Sequence, residues 1–541
     1  MLSELDETAD QQVLTAATDR VLAWVSLETS RESRHWLPWR PNYDVGESSI
    51  EDCEDPDRVV VFDDLSGALF SIDTVQDHFD LLCRFLDFLD KCLMSADLEK
   101  PRFTEERSTD FNLWWKVSEA YPDADSLLAF NEVHLAQSEL DRLCTFVENV
   151  YKHAVGLFDG NLRTALTLRY MRFKSTTVLS RNSSSDRRHR KHAEKDVRQF
   201  FKSLLKQEHN RNNLAVWEQY ARFEWEIGNY DDSRKVFETA LAMAGSALNV
   251  ENSEFPVIQL YDTYSRLELG VEITSTSGVC SDSKKTVSCG DQQVRTERAL
   301  HILVMVVNGY QANSHGADVS PTEMVRARHF YQSRLDDMHA TFAEVSPSDA
   351  EKVKHSGRCL LDWTVCFAWF QLLTIGLQSA SSVLQNFQTS LRKLTEISAT
   401  LVDADSNGQK IVANNSKMLE NSSVSAYHEL LETAARQRVQ LTQFYLNSGS
   451  APLNVVRTAL FDALAEFPDN VWFLKSFINV ELGSHISGRM REYFHRAVLE
   501  ANTPLPVLYA ILAERKRLLR LSVDSQLPCK SYFMFMVNLF N

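Results

Sequence analysis

Apolar residues recur every three to four positions along most of the chain, the period of helices that bury one face. Residues 1–30 show it at Val13, Leu14, Ala17, Val21, Leu22 and Trp24, and residues 74–92 show it again, with Phe79, Leu82, Phe85, Leu86 and Leu89 on one face. Between them lie an aromatic, proline-containing turn, Arg34-His35-Trp36-Leu37-Pro38-Trp39-Arg40-Pro41, and an acidic stretch from Glu51 to Asp57. The run from Val59 to Leu65 is β-prone in isolation. The pattern divides the chain into an N-terminal helical region (1–135), a helical pair broken near Asp159-Gly160 (136–180), a basic linker (181–195), a repeat array with long loop insertions (196–525) and an atypical apolar tail (526–541). Within the array the longest polar stretches, about 272–293, 311–321, 344–357 and 402–425, read as surface loops.

The array repeats. In its clearest unit Trp217, Tyr220, Phe223 and Ile227 share a helix face, Gly228-Asn229 ends the helix, Asp231 or Asp232 caps the next, and Val236, Phe237, Ala240 and Leu241 pack from it. A second unit has Trp472, Leu474, Phe477 and Val480-Glu481-Leu482, followed by Tyr493, Phe494, Ala497 and Val498. Weaker copies are Tyr261, Tyr264 and Leu267-Glu268 with Ala299 to Leu303, then Trp363 to Gly376 with Val383, Leu384 and Phe387, and residues 427–467. Such a hairpin cannot bury its apolar face alone, so the units must stack.

Composition agrees. Among 541 residues there are only 17 Gly and 13 Pro, under half the usual share of each, so tight turns are few. Net charge is −17, which excludes a general nucleic-acid clamp while leaving room for local basic patches. The nine cysteines include no Cys-x-x-Cys pair and read as free thiols of a reducing compartment. Apolar runs reach about six residues, far short of the ~20 of a membrane helix. There is no phosphate-binding loop, dinucleotide fingerprint, His-Glu-x-x-His or Gly-x-Ser-x-Gly, so no enzymatic activity, metal or cofactor is expected.

Trp217, Tyr220, Phe223 and Glu224, followed by Ser233-Arg234-Lys235-Val236-Phe237-Glu238-Thr239-Ala240-Leu241, resemble the two helices of a half-a-tetratricopeptide (HAT) repeat. The resemblance implies an all-α fold: a right-handed α-solenoid of HAT/TPR-like helical hairpins after an irregular helical N-terminal region. Three stretches resemble the NRDE-two family of nuclear RNA-interference-defective proteins and nuclear exosome regulators. They are His35 to Pro41 with Glu51 to Pro56 and Val61 to Asp64; Trp217 to Ser246; and Phe370 to Gly376.

That resemblance implies a nuclear, nuclear-speckle-associated, non-catalytic scaffold in RNA surveillance and small-RNA-mediated nuclear silencing. It implies protein partners: the exosome-associated RNA helicase, splicing factors and heterochromatin-linked silencing. Family members are longer on the N-terminal side, where the helicase-binding segment lies, so the chain is expected to be a C-terminal half without it. The alternatives are a HAT-repeat subunit of the splicing or mRNA 3′-end machinery and a direct RNA-binding protein.

Trp217, Tyr220, Phe223, Phe237, Ala240, Trp472, Tyr493 and Ala497 are expected to pack between helices as structural repeat residues. Glu224 is expected to tie neighbouring helices, with Arg234 as a candidate partner. Trp36 and Trp39 are candidates either for docking onto the following helices or for holding a partner. Arg187, Arg188, Arg190 and Lys191 form the centre of a basic segment that reads as an import signal, an RNA contact or a linker entering a helix at 194–206.

Overall fold

The computed structural model describes residues 59, 61–67, 69, 71–94, 137–180, 187–244, 257–271, 289–308, 319–345, 349–405, 413–448, 452–483 and 487–500, with scattered positions from 505 to 517. Among the described residues every regular element is an α-helix. They fall into two compact units, divided between Leu162 and Arg163.

The first unit holds α1 (Phe62–Ser66), α2 (Val75–Met94) and α3 (Gln137–Leu157). The β-prone run is helical from Phe62, where Asp64 accepts the Val61 N–H at 2.9 Å and satisfies a donor at the start of the first turn. The α2 helix packs on α3 through Leu86 and Leu89, with Phe79 edge-on to Phe158 at 5.5 Å. Phe85, expected on that buried face, is 43% exposed instead. One residue of offset turns a helix by about 100°, so Phe85 and Leu86 cannot face the same neighbour.

The second unit continues from α4 (Gly160–Ser180) through α5 (Arg187–Leu205), α6 (Glu208–Arg211), α7 (Leu214–Glu226), α8 (Tyr230–Ala244), α9 (Val257–Leu269) and α10 (Cys289–Asn308). It goes on through α11 (Pro321–Ala343), α12 (Ala350–Thr374), α13 (Leu377–Asp405), α14 (Ala413–Asn447), α15 (Leu453–Glu466), α16 (Val471–Gly483) and α17 (Ser487–Glu500). The pair expected over 136–180 is split between the units: α3 packs on α2, whereas Met171 and Val178 of α4 join Val197, Phe201, Val216, Tyr220 and Phe223 in one core.

Along the second unit helices pack on the next in sequence and on the next but one, as α5 on α7, α7 on α9, α10 on α12 and α12 on α14. This is the packing of an all-α solenoid, in which each hairpin shares its core with its neighbours. Flat ring contacts cross the interfaces, as where Phe237 stacks on Tyr264 at 4.7 Å and Tyr331 on Phe367 at 5.5 Å.

Turn chemistry explains the breaks. Gly228 and Gly376 have φ of +89° and +129°, and the Asn229 and Gly376 N–H groups reach back to the Glu224 and Gln371 carbonyls at 2.8 and 3.0 Å. Asp231 and Asp232 stand in the first turn of α8 instead of capping it, and Asp231 accepts from Arg234. Ser320 and Glu323 close a capping box on α11, with Pro321 following the cap.

Two expected loops are largely helical. Asp349 caps α12 by accepting the Lys352 N–H, and Val353 is fully buried, so 350–357 belongs to the helix. Likewise α13 runs to Asp405 and α14 begins at Ala413. Lys, Glu, Gln and Ala form helix well whatever their polarity, which is why polar content alone misplaced these ends. The same holds for the basic linker, since α5 starts at Arg187, well before the expected 194.

Candidate functional site

The expected repeat residues meet at helix interfaces. Tyr220, Phe223, Phe237, Ala240 and Trp472 are buried, while Trp217, Trp225, Tyr493 and Ala497 are half-buried. Trp217 donates its indole N–H to the Arg211 carbonyl at 2.9 Å, and Trp225 lies against Tyr230 and the Arg234 guanidinium. Tyr493 packs its ring 4.8 Å from Phe477.

Glu224 does tie helices together, but its partner is Arg198 of α5, which donates from Nε and Nη2 at 2.6 and 3.0 Å. Arg234 instead reaches forward to Glu268 of α9, at 2.6 and 3.1 Å. A helix extends its Arg toward the first helix of the next hairpin, whereas Arg234 and Glu224 belong to the two helices of one hairpin. The arrangement recurs as Arg457–Glu481 and Arg491–Glu514. The planar guanidinium matches both carboxylate oxygens, so each rung fixes orientation as well as charge.

The rungs obey one register. Arg198, Arg234, Arg457 and Arg491 each precede a buried apolar side chain by three residues: Phe201, Phe237, Leu460 and Phe494. Their glutamates each follow a buried side chain by four: Tyr220, Tyr264, Phe477 and Ala510. The same count around the Tyr331–Phe367 stack places Arg328 opposite Gln371. There the carboxylate is replaced by an amide, which accepts from Ser379 at 3.2 Å, and the Arg328 Nε is buried without a hydrogen-bond partner.

Burial pushes the Glu224 carboxyl up, yet the hydrogen bonds from Arg198 and Asn229 outweigh it, so its pKa is lowered. Glu514 follows the same balance, held down by Arg491 and Arg517 against burial. Arg198, Arg234 and Arg491 are raised, chiefly by the hydrogen bonds to their glutamates.

A second polar group escaped the sequence reading. Asp262 of α9 pairs with Arg266 one turn on at 2.6 Å, and Arg266 also donates to Gln437 of α14 at 3.0 Å. Gln259 donates to Asp362 of α12 at 2.5 Å. Burial raises both acids, Asp362 to about 6. The sequence signal was an Asp and an Arg four apart on one helix, a spacing that surface helices share.

Trp36 and Trp39 lie outside the described residues. Arg187, Arg188 and Arg190 fall in the first turn of α5 and Lys191 is exposed on it. Beyond it Lys195, Lys202 and Lys206 are exposed too, so the basic character continues along the helix. Among the described residues no group of three or more His, Cys, Asp or Glu side chains is placed to hold a metal ion, and no helix is long and apolar enough to cross a membrane.

Residues 3–92 match the family described as NRDE-2, necessary for RNA interference. Over 524 residues the chain is 28% identical to nuclear exosome regulator NRDE2 of Mus musculus, and over 521 residues it is 27% identical to that of Homo sapiens. Each alignment covers 94% of this chain and 41% of the relative, so the chain spans well under half the length of the curated relatives it matches. The expected resemblance is found: residues 3–92, which include the Trp-Leu-Pro-Trp stretch, match the NRDE-2 family model, and the chain is similar along nearly its whole length to the nuclear exosome regulator NRDE2.

Proposed function

We propose that the chain is a nuclear, non-catalytic helical scaffold that regulates RNA decay, with a part in small-RNA-mediated nuclear silencing. The observation that carries this reading is the similarity, over 94% of the chain, to proteins named nuclear exosome regulators. Supporting it, Arg–Glu rungs fix neighbouring helices of the array in one register, as a rigid scaffold requires. The partners in this reading are proteins of nuclear RNA processing, among them the exosome-associated RNA helicase and splicing factors.

Affinity purification of the tagged full chain from nuclear extract tests it. Recovery of exosome-associated factors, with the tagged chain retained in the nucleus, is the expected result. Recovery of a core spliceosomal or cleavage complex without them, or cytosolic residence, would overturn it.

A further inference from the structure

The exposed apolar side chains are not spread evenly. Val61, Phe62, Leu65, Leu69, Val75, Leu81, Phe85 and Phe88 all lie on α1, α2 and the segment around them, and each is at least 43% exposed. On α2 Leu86 and Leu89 are buried against α3, and half-buried Phe79 lies against Phe158. Leu81, Phe85 and Phe88, spaced four and three residues apart, form a separate stripe at 49%, 43% and 54% exposure. Among the described residues, one helix therefore carries two apolar faces, of which only one has a neighbour. A concentrated apolar patch of this kind marks a contact surface.

We propose that the stripe Leu81-Phe85-Phe88 of α2 is the seat of the chain's own Trp36-Leu37-Pro38-Trp39 segment. The occupant matches in residue type: two indoles and a leucine within four positions supply large apolar area, and Pro38 removes backbone freedom that docking would otherwise have to freeze. It matches in charge. Arg34 and Arg40 flank the aromatic core, while Asp73, Asp77 and Asp80 are exposed at the N-terminal end of the stripe's helix.

It matches in reach. About 40 residues separate Trp39 from Leu81, far more chain than the dimensions of a small helical unit demand at ~3.3 Å per extended residue. A tether of that length holds the segment at an effective concentration that a free partner must exceed. Segment and stripe also fall inside the one stretch, 3–92, that matches the family model.

A photo-crosslinking residue, p-benzoylphenylalanine, placed at Phe88 of the full chain tests the seat without disturbing the core, since that side chain is exposed. After irradiation of the purified chain, digestion and mass spectrometry should place the adduct on the tryptic peptide spanning residues 35–58. The yield should not depend on protein concentration and should fall at least fivefold with Trp36→Ala and Trp39→Ala together. A labelled peptide of residues 31–44 should bind that double variant at least tenfold more tightly than the wild-type chain. Adducts elsewhere in the chain, crosslinks between differently isotope-labelled copies, or equal peptide binding by both chains would each overturn the proposal. A circular-dichroism melt of the double variant, expected to keep the wild-type helix content, separates loss of docking from loss of fold.

Discussion

Arg457 and Glu481 form a two-pronged ion pair that is buried at both ends, with Nε to Oε1 at 2.5 Å and Nη2 to Oε2 at 3.0 Å. It joins α15 to α16, and Leu460 and Phe477 pack in register beside it. Two charges inside an apolar interface are tolerable only because each satisfies the other.

Removing one partner leaves a buried charge without compensation. Arg457→Ala or Glu481→Ala should each destabilise the array by about 3–5 kcal/mol in urea unfolding. The double replacement Arg457→Met with Glu481→Leu should cost much less than the sum of the single losses, because an apolar pair has no desolvation penalty to recover. Additive losses would contradict the pairing.

The amide at position 371 breaks the series of carboxylates and leaves the Arg328 Nε without a partner. Gln371→Glu should therefore raise the thermal midpoint, with a gain of about 1.5–3 kcal/mol, the net worth of one hydrogen bond to a charged group. The gain should vanish in an Arg328→Ala background. A fall in midpoint would show that the bond from Ser379 matters more.

The acids of the α9–α12 cluster act on stability in the opposite sense to the rung glutamates. Asp362, pushed up to about 6, and Asp262, also raised, bind protons more tightly folded than unfolded. Their contribution falls as pH rises from the ordinary carboxylate range through about 6. Glu224 and Glu514 are lowered, so their contribution is present above their unfolded values and is lost as pH falls through the folded ones. Asp362→Asn should accordingly stabilise the chain at pH 7 by roughly 1–3 kcal/mol and much less at pH 4, read by chemical denaturation at the two values.

Gly228 holds φ of +89°, and a Cβ there would meet no atom within 4 Å. Gly228→Ala should cost about 1 kcal/mol or more by backbone strain alone. Gly488→Ala, inside α17 with open space and no such angle, should be neutral or stabilising. Thermal melts of the pair separate strain from crowding.

The basic start of α5 offers a direct test of nuclear entry. If it is read by the import machinery, replacing Arg187, Arg188, Arg190 and Lys191 by Ala should shift a tagged chain toward the cytoplasm. Alanine is the strongest helix former, so the helix content by circular dichroism should be unchanged.

The sequence by itself determined the helical class, the hairpin pattern and the resemblance to NRDE-2 proteins. Apolar spacing of three and four residues is a property of neighbouring positions, and so are the breaks at Gly228 and Gly376. Helix ends in polar segments were misread, as at 350–357 and at Arg187, because polarity reports solvent contact and not backbone conformation.

Only the tertiary structure decided which Arg meets which Glu. Arg234 has Glu224 ten residues away and Glu268 thirty-four away, and it pairs with the farther one, because the stacking of hairpins brings α8 onto α9. It likewise decided that Asp262 and Asp362 share one buried cluster and that Phe85 faces outward beside a buried Leu86. Charge pairing and burial depend on what lies across the interface, and a single helix does not contain that information.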